Sequence, residues 1–261
     1  MNPLLYNYFV DKNQENSVDI TILCLLHELR IISRTQLIKL LALDFSLTIK
    51  SIDRHIRKLF TQEMIEKLSH GKQVCYYLSK KGHDSIGGHY TLPKVPEYNL
   101  NHHLAINDYL IKTLKVVYKH PNLKFVLSER RQVFETKDLA KNNKGKKYFV
   151  PDFILRFRDK DGYEINWSFE IELTMKTRRR YWQGIFPKYI RELKENPSSR
   201  LIYVTPSPLI KEELERFRRL FIQKEGAGSS AIFQRLHVCS STEFEEKFLD
   251  FFKTDTLINW K

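Results

Sequence analysis

The sequence predicts an α/β protein with two domains, a smaller helical domain followed by a larger domain whose mixed sheet is flanked by helices. Two observations lead to this prediction. Amphipathic helical segments alternate with short apolar strands between residues 102 and 252, which is typical of a sheet with helices on both faces. The segment GGHYTLPKVPEYNL at 87–100 has two glycines, two prolines and little periodicity, as expected of a linker. We therefore expect domains at residues 1–90 and 91–261.

The composition indicates a folded protein with a polyanionic partner. Hydrophobic residues make up 42% and aromatic residues 13% of 261 residues, which excludes disorder for most of the chain. Lys and Arg number 44 against 31 Asp and Glu, a net charge of +13 that favours nucleic acid over an ordinary basic protein. We find no signal peptide and no apolar stretch of about 20 residues, so we expect a cytoplasmic protein without a membrane partner.

The first domain shows the element order of a winged helix-turn-helix. Apolar residues repeat at helical spacing in three segments, and two short extended segments joined by Ser-His-Gly-Lys follow. Helix, helix, basic helix and hairpin is the order of that module. The predicted elements are helices over 18–30, 33–41 and 46–60 and strands over 64–68 and 73–78.

The third predicted helix has an apolar face and a basic face. In a winged helix-turn-helix the third helix enters the major groove, and the hairpin contacts phosphates. We therefore expect this domain to bind DNA, with protein contacts or a spacer role as the alternative. The DNA-binding residues predicted here are Lys50, Arg54, Arg57, Lys58 and Lys72.

The second domain is predicted as a mixed sheet flanked by helices. Its elements alternate along the chain, and Asp161-Gly162 marks a hairpin turn between two of the strands. Helices are expected over 102–118, 177–193, 209–223 and 241–252. Strands are expected over 123–127, 148–157, 165–173, 201–205 and 232–238.

Three acidic residues mark the predicted hairpin. Because side chains alternate between the faces of a strand, Glu170 and Glu172 point the same way, while the residues around them point into the core. A hairpin turn near residues 159–164 brings Asp152 close to both. Lys176 keeps the same parity if the strand continues. We therefore expect three acids and a lysine at one end of an apolar hairpin.

Such a cluster suits a divalent cation. Like charges at short distance raise one another's pKa unless a cation neutralises them, and carboxylate oxygens favour Mg²⁺ or Mn²⁺. Such an ion can activate water for a displacement at phosphate, and a lysine adds positive charge at the transition state. The alternative is a solvent-facing strand whose acids pair with the arginines at 178–180.

Basic residues near the acids fit a nucleic-acid substrate. The segment KDLAKNNKGKK at 137–147 is predicted as a basic loop, and three arginines open the next helix, where they oppose its dipole. Packing against the sheet is the simpler interpretation of Tyr181 and Tyr189 in that helix, and a covalent role for either stays open. The DNA contacts expected in this domain are Lys144, Lys146, Lys147, Arg178, Arg179 and Arg180.

Pro151-Asp152 followed by Glu170-x-Glu172 resembles the PD-(D/E)xK nuclease superfamily. The lysine of that pattern falls on Glu172 here, and Lys176 is expected to replace it. A closer resemblance adds the winged helix, HHLAIND at 102–108, Ser-Glu-Arg at 128–130, PDFIL, and FEIELTMKTRRRY with Tyr189 beyond. In this order the pieces resemble the MOBC family of plasmid relaxases and the related replication-relaxation family over almost the whole chain.

The resemblance implies a restriction-endonuclease-like domain that uses Mg²⁺ or Mn²⁺ to nick one DNA strand at a plasmid or integrative-element transfer origin. It also implies accessory mobilisation proteins and a coupling ATPase as partners. The metal ligands would be Asp152, Glu170 and Glu172. The further catalytic residues would be Lys176 beside the phosphate, Glu129 as a fourth acid, and His103 as an assistant, with His102 an equal candidate.

Two alternatives stay open. The protein could be a non-catalytic winged-helix repressor or initiator whose second domain serves dimerisation or scaffolding. It could also be a restriction- or transposition-type nuclease that uses the same acids to cut both strands. The acid cluster separates the first alternative from the enzymes, because a protein that only binds DNA does not need it.

Overall fold

The computed structural model of the chain describes residues 2–8, 17–95, 99–142 and 149–260, with the side chains of 137–142 and 227 outside the description. The expected α/β class is confirmed. An antiparallel sheet of three strands and a mixed sheet of five strands are accompanied by helices in this part of the chain. No helix there is long and apolar enough to cross a bilayer.

The chain forms two compact units. Unit 1 comprises Met1–Lys119 and Arg130–Asp138, and unit 2 comprises His120–Glu129 and Leu139–Lys261. The helix that follows the predicted linker therefore belongs to unit 1. The units are defined by contacts within the chain. The domain boundary expected at residue 90 stays a prediction.

Unit 1 contains the small sheet and most of the helices of the first half of the chain. Its strands pair antiparallel in the order β1-β3-β2. Its elements are α1 (Val18–Leu29), β1 (Ile31–Ser33), α2 (Arg34–Leu41), α3 (Ile49–Thr61), β2 (Ile65–His70), β3 (Gln73–Leu78), α4 (Lys80–Ser85), α5 (Leu100–Val117) and the middle part of α6 (Glu129–Asn142).

Side-chain caps set where the helices of unit 1 begin. The Ser33 hydroxyl accepts a hydrogen bond from the backbone N–H of Gln36, and the Gln36 side chain accepts one from the N–H of Ser33. Ser17 and Thr48 cap α1 and α3. The Gln36 amide also donates to the carbonyl of Leu104 at 2.7 Å, so the cap of α2 is tied to α5.

Unit 2 contains the five-stranded sheet. The strand order is β4-β5-β6-β7-β8, with antiparallel pairs from β4 to β6 and parallel pairs from β6 to β8. Its elements are β4 (Leu123–Ser128), β5 (Phe153–Arg158), β6 (Glu164–Ile171), α7 (Arg178–Arg180), a π-helical turn (Tyr181–Ile185), α8 (Phe186–Glu195), β7 (Arg200–Thr205), α9 (Pro208–Glu225), α10 (Ala227–Phe233), β8 (Leu236–Ser240) and α11 (Phe244–Thr254), together with both ends of α6.

The two faces of this sheet pack against different helices. Glu170 is aligned with Tyr203 of β7, and Tyr203 belongs to an apolar cluster that includes Tyr189 of α8. On the opposite face Trp167 packs edge-on against Phe248 of α11, with ring centroids 6.1 Å apart. Helices therefore cover both faces, and the acidic side chain of β6 lies on the face of α8.

Several elements differ from the sequence-based expectation. The strand predicted over 232–238 begins only at Leu236, because α10 extends to Phe233. The helix predicted over 177–193 is divided by the π-helical turn, and Pro187 in the first turn of α8 cannot donate a backbone hydrogen bond. The last helix, predicted over 241–252, begins only after Glu243, because residues 241–243 form a turn.

Besides α10, three further elements were absent from the expectation. The strand β1 has three residues and α4 has six, which is too short for a recognisable period. The third is α6, whose last turns replace the start of the loop predicted at 137–147.

Candidate active site

The predicted acids gather where β5 begins and β6 ends. The register pairs Phe153 with Phe169, so the residue before β5 lies beside the last residues of β6. Asp152 directly precedes β5, Glu170 is the second-last residue of β6, and Glu172 directly follows β6. The hairpin therefore brings together the three acids that the sequence predicts as a group.

Backbone hydrogen bonds fix Asp152 alongside Glu170. The N–H of Asp152 donates to the carbonyl of Phe169 at 2.9 Å. Its carboxylate Oδ2 accepts the N–H of Ile171 at 2.6 Å. Asp152 thus holds the residues immediately before and after Glu170, and its carboxylate has a defined position.

Glu170 lies in surroundings that disfavour its negative charge. Burial raises the pKa of Glu170 to about 8, and the charge of Asp152 is the next cause. Glu172 and Glu129 raise it further, while Lys188 of α8 lowers it. At neutral pH the carboxyl group is therefore protonated unless a cation approaches it.

Glu172 is held by a lysine and a tyrosine. The Nζ of Lys176 lies 2.6 Å from Oε1 of Glu172, and both side chains are partly buried. The hydroxyl of Tyr203 donates to Oε2 at 3.4 Å. β6 ends at Ile171, so Lys176 reaches Glu172 from the following turns rather than from an extended strand. The predicted proximity of this acid and this lysine is nevertheless present.

Glu129 adds a fourth acid from another direction. It follows β4 as the first residue of α6, and its backbone N–H donates to the carbonyl of Asp152 at 3.1 Å. Its charge contributes to the raised pKa of Glu170. The structure therefore brings Glu129 into the same neighbourhood as the hairpin acids.

His103 lies in unit 1, on α5. Its Nε2 is 3.1 Å from Nη1 of Arg30, and its ring neighbours that of His102 at 6.5 Å. The four acids and Lys176 belong to unit 2. A catalytic role for His103 stays a prediction.

Lys188 is a residue of the site that the sequence did not indicate. It lies on α8, acts electrostatically on Glu170, and has its Nζ 4.9 Å from the ring centroid of Phe149. A single lysine on an amphipathic helix cannot be told from a solvated face by its spacing. The packing of α8 against β7, which brings Lys188 close to Glu170, reveals it.

The two tyrosines near the acids are buried. Tyr181 is 0% and Tyr189 3% exposed. Burial is the main reason that the pKa of both phenols lies above the ordinary value. The Tyr181 hydroxyl lies 3.2 Å from that of Tyr203. Both rings therefore pack in the core, as the simpler interpretation of the sequence expects.

The donors suit a divalent cation in chemistry, although they are not grouped around one position. Carboxylates are preferred by Mg²⁺ and Mn²⁺, and a cation would relieve the repulsion that raises the pKa of Glu170. Among the described residues no three His, Cys, Asp or Glu side chains are placed to hold a metal ion. Glu172 bonds to Lys176 instead, so ligation by all three acids stays a prediction that requires Glu172 to change partner.

The basic residues expected to contact DNA differ in their availability. On α3, Lys50, Arg54 and Lys58 are all exposed, and Lys58 also pairs with Oδ2 of Asp19 at 2.6 Å. The Nε of Arg57 donates to the carbonyl of Asp53 at 3.3 Å. In the turn between β2 and β3, Lys72 is exposed.

The structure describes three of the six basic residues of unit 2 that are expected to contact DNA. Arg178, Arg179 and Arg180 are exposed after the acids. The Arg178 guanidinium lies 4.2 Å from the ring centroid of Trp182, and Arg179 donates to Gln183. The remaining predicted contacts, Lys144, Lys146 and Lys147, lie outside the described residues.

The four acids, two lysines and exposed arginines are thus an arrangement that must be interpreted from its own chemistry. Comparisons with protein-family models, curated proteins and solved structures give no match for this chain.

Proposed function

We propose that the chain is a DNA endonuclease that depends on Mg²⁺ or Mn²⁺ and nicks one strand. The observation that carries this proposal is that Asp152, Glu170 and Glu172 lie at one end of the hairpin, where burial and the charge of Asp152 raise the pKa of Glu170 to about 8. Acids so placed lower the stability of the metal-free protein, which argues for a role other than structural support.

The element order supports a finer description of both units. In unit 1, helix, strand, two helices and a hairpin form a sheet of order β1-β3-β2, which fits a winged helix-turn-helix with α3 as its recognition helix. In unit 2, three antiparallel strands followed by a parallel β7 fit a restriction-endonuclease-like sheet. We include both in the proposal.

Each residue of the site has a proposed role. Asp152, Glu170 and Glu172 would hold the ion, which when bound activates water and balances charge on the phosphate. Lys176 and Lys188 supply positive charge close to the acids, where a phosphate oxygen would otherwise be repelled. The arginines at 178–180 would hold flanking phosphates of the DNA.

The relaxase role rests on the sequence resemblance. It gives the substrate as the transfer origin of a plasmid or integrative element, and the partners as accessory mobilisation proteins and a coupling ATPase. The basic, exposed face of α3 supports site recognition by unit 1. Cytoplasmic localisation and the absence of a membrane partner belong to the same proposal.

A cleavage assay tests the proposal. Supercoiled DNA that carries the candidate transfer origin of the host element is incubated with Mg²⁺ or Mn²⁺, and the relaxed and linear products are separated. We expect a relaxed circle from the wild type, its loss with EDTA, and a loss of at least about 100-fold with Asp152→Ala or Glu172→Ala. Glu164→Gln is the matched control, because Glu164 lies at the other end of β6.

Other products would select other functions. A linear product would favour a nuclease that cuts both strands. Equal activity of the wild type and both alanine variants would refute the proposed site.

A non-catalytic DNA-binding protein is the second candidate. The ion pair between Glu172 and Lys176 favours it, because this pair neutralises one of the acids without a metal. It predicts a sequence-specific mobility shift, no cleavage with either metal, and no effect of the two alanine substitutions on binding.

A further inference from the structure

Two buried tyrosine hydroxyls lie next to Glu172. Tyr203 belongs to β7 and Tyr181 begins the π-helical turn, and the two residues are 2% and 0% exposed. Their hydroxyl oxygens are 3.2 Å apart, and that of Tyr203 is 3.4 Å from Oε2 of Glu172. The three groups therefore form a chain that leads from the apolar cluster of unit 2 to the acid.

The backbone pairing explains why Tyr203 is the residue that reaches Glu172. The N–H of Glu172 donates to the carbonyl of Val204 at 2.9 Å, so the chain stays alongside β7 for one residue beyond the end of β6. Tyr203 is aligned with Glu170, and residues two apart in an extended chain share a face. Glu172 and Tyr203 are consequently on the same face of the sheet.

The number of available hydrogens gives the direction of both hydrogen bonds. A carboxylate only accepts, and a phenol has one hydrogen to donate. The hydroxyl of Tyr203 therefore donates to Oε2 of Glu172, and its oxygen accepts the hydrogen of Tyr181. Both buried hydroxyls thus have a partner, and the donor to Oε2 is carried by a ring that packs in the core.

The second oxygen of Glu172 is held in a different way. Oε1 accepts the ammonium group of Lys176 at 2.6 Å, and 26% of that lysine side chain is exposed. Lys176 lies between β6 and α7 in a segment without helix or strand, and its charge sits on a flexible four-carbon chain. Oε1 can therefore change its partner more readily than Oε2.

We propose that Tyr203 is a positioning residue for Glu172, an inference that rests on the proposed function. Its hydroxyl keeps Oε2 in place while Oε1 exchanges Lys176 for the divalent ion, and Tyr181 orients that hydroxyl. The exchange also makes the ammonium group of Lys176 available to the phosphate. Hydrogen bonds to a side chain that ligates a metal typically contribute about 10–100-fold to metal affinity or activity.

Titration calorimetry with Mn²⁺ on the full chain tests this role. Tyr203→Phe removes the hydroxyl and keeps the ring, so Mn²⁺ should bind about 10-fold more weakly than to the wild type. Because only the position of a ligand is lost, saturating Mn²⁺ should restore the nicking rate of the variant. Tyr118→Phe is the matched control. It removes a hydroxyl that donates to Asp44, a carboxylate of unit 1, and it should leave Mn²⁺ affinity unchanged.

The outcomes separate this inference from the proposed function. If Tyr203→Phe binds Mn²⁺ as tightly as the wild type while Glu172→Ala binds at least about 10-fold more weakly, the role of Tyr203 alone is overturned. A nicking rate that saturating Mn²⁺ does not restore, or an equal loss of affinity in Tyr118→Phe, also overturns it. No Mn²⁺ binding by the wild type, with or without DNA, overturns the proposed function as well.

A second variant keeps the inference testable if Tyr203→Phe does not fold. Tyr181→Phe removes the donor to the Tyr203 hydroxyl and leaves the contact with Glu172 in place. It should weaken Mn²⁺ binding by less than Tyr203→Phe does, and an affinity equal to that of the wild type would then overturn the inference.

Discussion

Glu170 connects the charge balance of the site with the stability of the protein. Its ordinary pKa of 4.5 is raised to about 8 by burial and by the neighbouring acids. Between these two pH values the native state holds a proton that the unfolded state has released. The stability of the metal-free protein is therefore reduced as pH rises through this window.

We predict that Glu170→Gln stabilises the metal-free protein above that window. The amide resembles the protonated acid and cannot ionise. With the pKa raised from 4.5 to about 8, the gain should be about 4–5 kcal/mol at pH 8.5 and near zero at pH 4. Urea unfolding in EDTA at several pH values measures it. A gain that does not change with pH would contradict the electrostatic explanation.

Glu164, on the same strand, provides a control because its pKa is shifted in the opposite direction. Its carboxylate pairs with Lys124 at 2.6 Å and with Arg156 at 3.0 Å, and these partners lower its pKa. Its contribution to stability is present above the ordinary pKa and is lost as pH falls. Glu164→Gln should therefore lower stability at neutral pH and have little effect in acid.

Strand parity explains how much of the site is readable from sequence. Two acids at positions 170 and 172 must share a face, and a hairpin that starts near Asp152 must bring it close. Parity does not extend past the end of β6, so the contact between Lys176 and Glu172 depends on the following turns. Lys188 contributes through the docking of α8, which the sequence does not encode locally.

At the scale of elements, a buried ion pair joins α6 to α1 within unit 1. Nη2 of Arg131 lies 3.3 Å from Oε2 of Glu28, with side chains 2% and 0% exposed. Tyr8 also donates to this carboxylate at 3.0 Å. A buried ion pair of this kind adds little net stability, although it fixes how the two helices are aligned. Removal of one partner is nevertheless destabilising, because the other charge stays buried without compensation.

We predict that Arg131→Met destabilises the protein by about 3–5 kcal/mol, because Glu28 would stay buried without its cation. The double variant Glu28→Gln with Arg131→Met should recover part of this loss, since no charge remains. Chemical unfolding of the three proteins measures both effects. A double variant that is less stable than Arg131→Met would contradict this explanation, because the loss would then not come from the uncompensated charge of Glu28.

The exposed face of α3 gives a prediction about binding. Lys50→Ala and Arg54→Ala should each weaken DNA binding and reduce the slope of log K against log salt by about one, because each removes a phosphate contact. Their stability should change by less than about 0.5 kcal/mol. Arg216→Ala on α9 is the matched control, as Arg216 pairs with Glu213. Salt slopes unchanged from wild type would exclude α3 from the DNA interface.

The elements found from sequence are those with a strong period or cap. α3 begins after the Thr48 cap, and β3 matches the predicted strand at both ends. α6 was not predicted because its charged residues show little apolar periodicity. The strand predicted over 232–238 was wrong at its start, because an apolar pair at 232–233 fits a helix end as well as a strand.

At the scale of the whole molecule, the two compact units have chemistry suited to different tasks. Unit 1 presents basic residues on a helix stabilised by a buried apolar face, and unit 2 gathers acids at one end of a hairpin. The proposed function assigns recognition to the first and cleavage to the second. Cleavage by unit 2 requires that these acids hold a metal ion.

Titration calorimetry with Mn²⁺ tests that claim most directly. Binding must displace the proton of Glu170, so at pH 7 the heat measured in buffers of different ionisation enthalpy should show the release of about one proton. The release should vanish with Glu170→Gln and persist with Glu164→Gln. Absence of Mn²⁺ binding to the wild type in the presence and absence of DNA, or binding that Asp152→Ala and Glu172→Ala leave unchanged, would contradict the account.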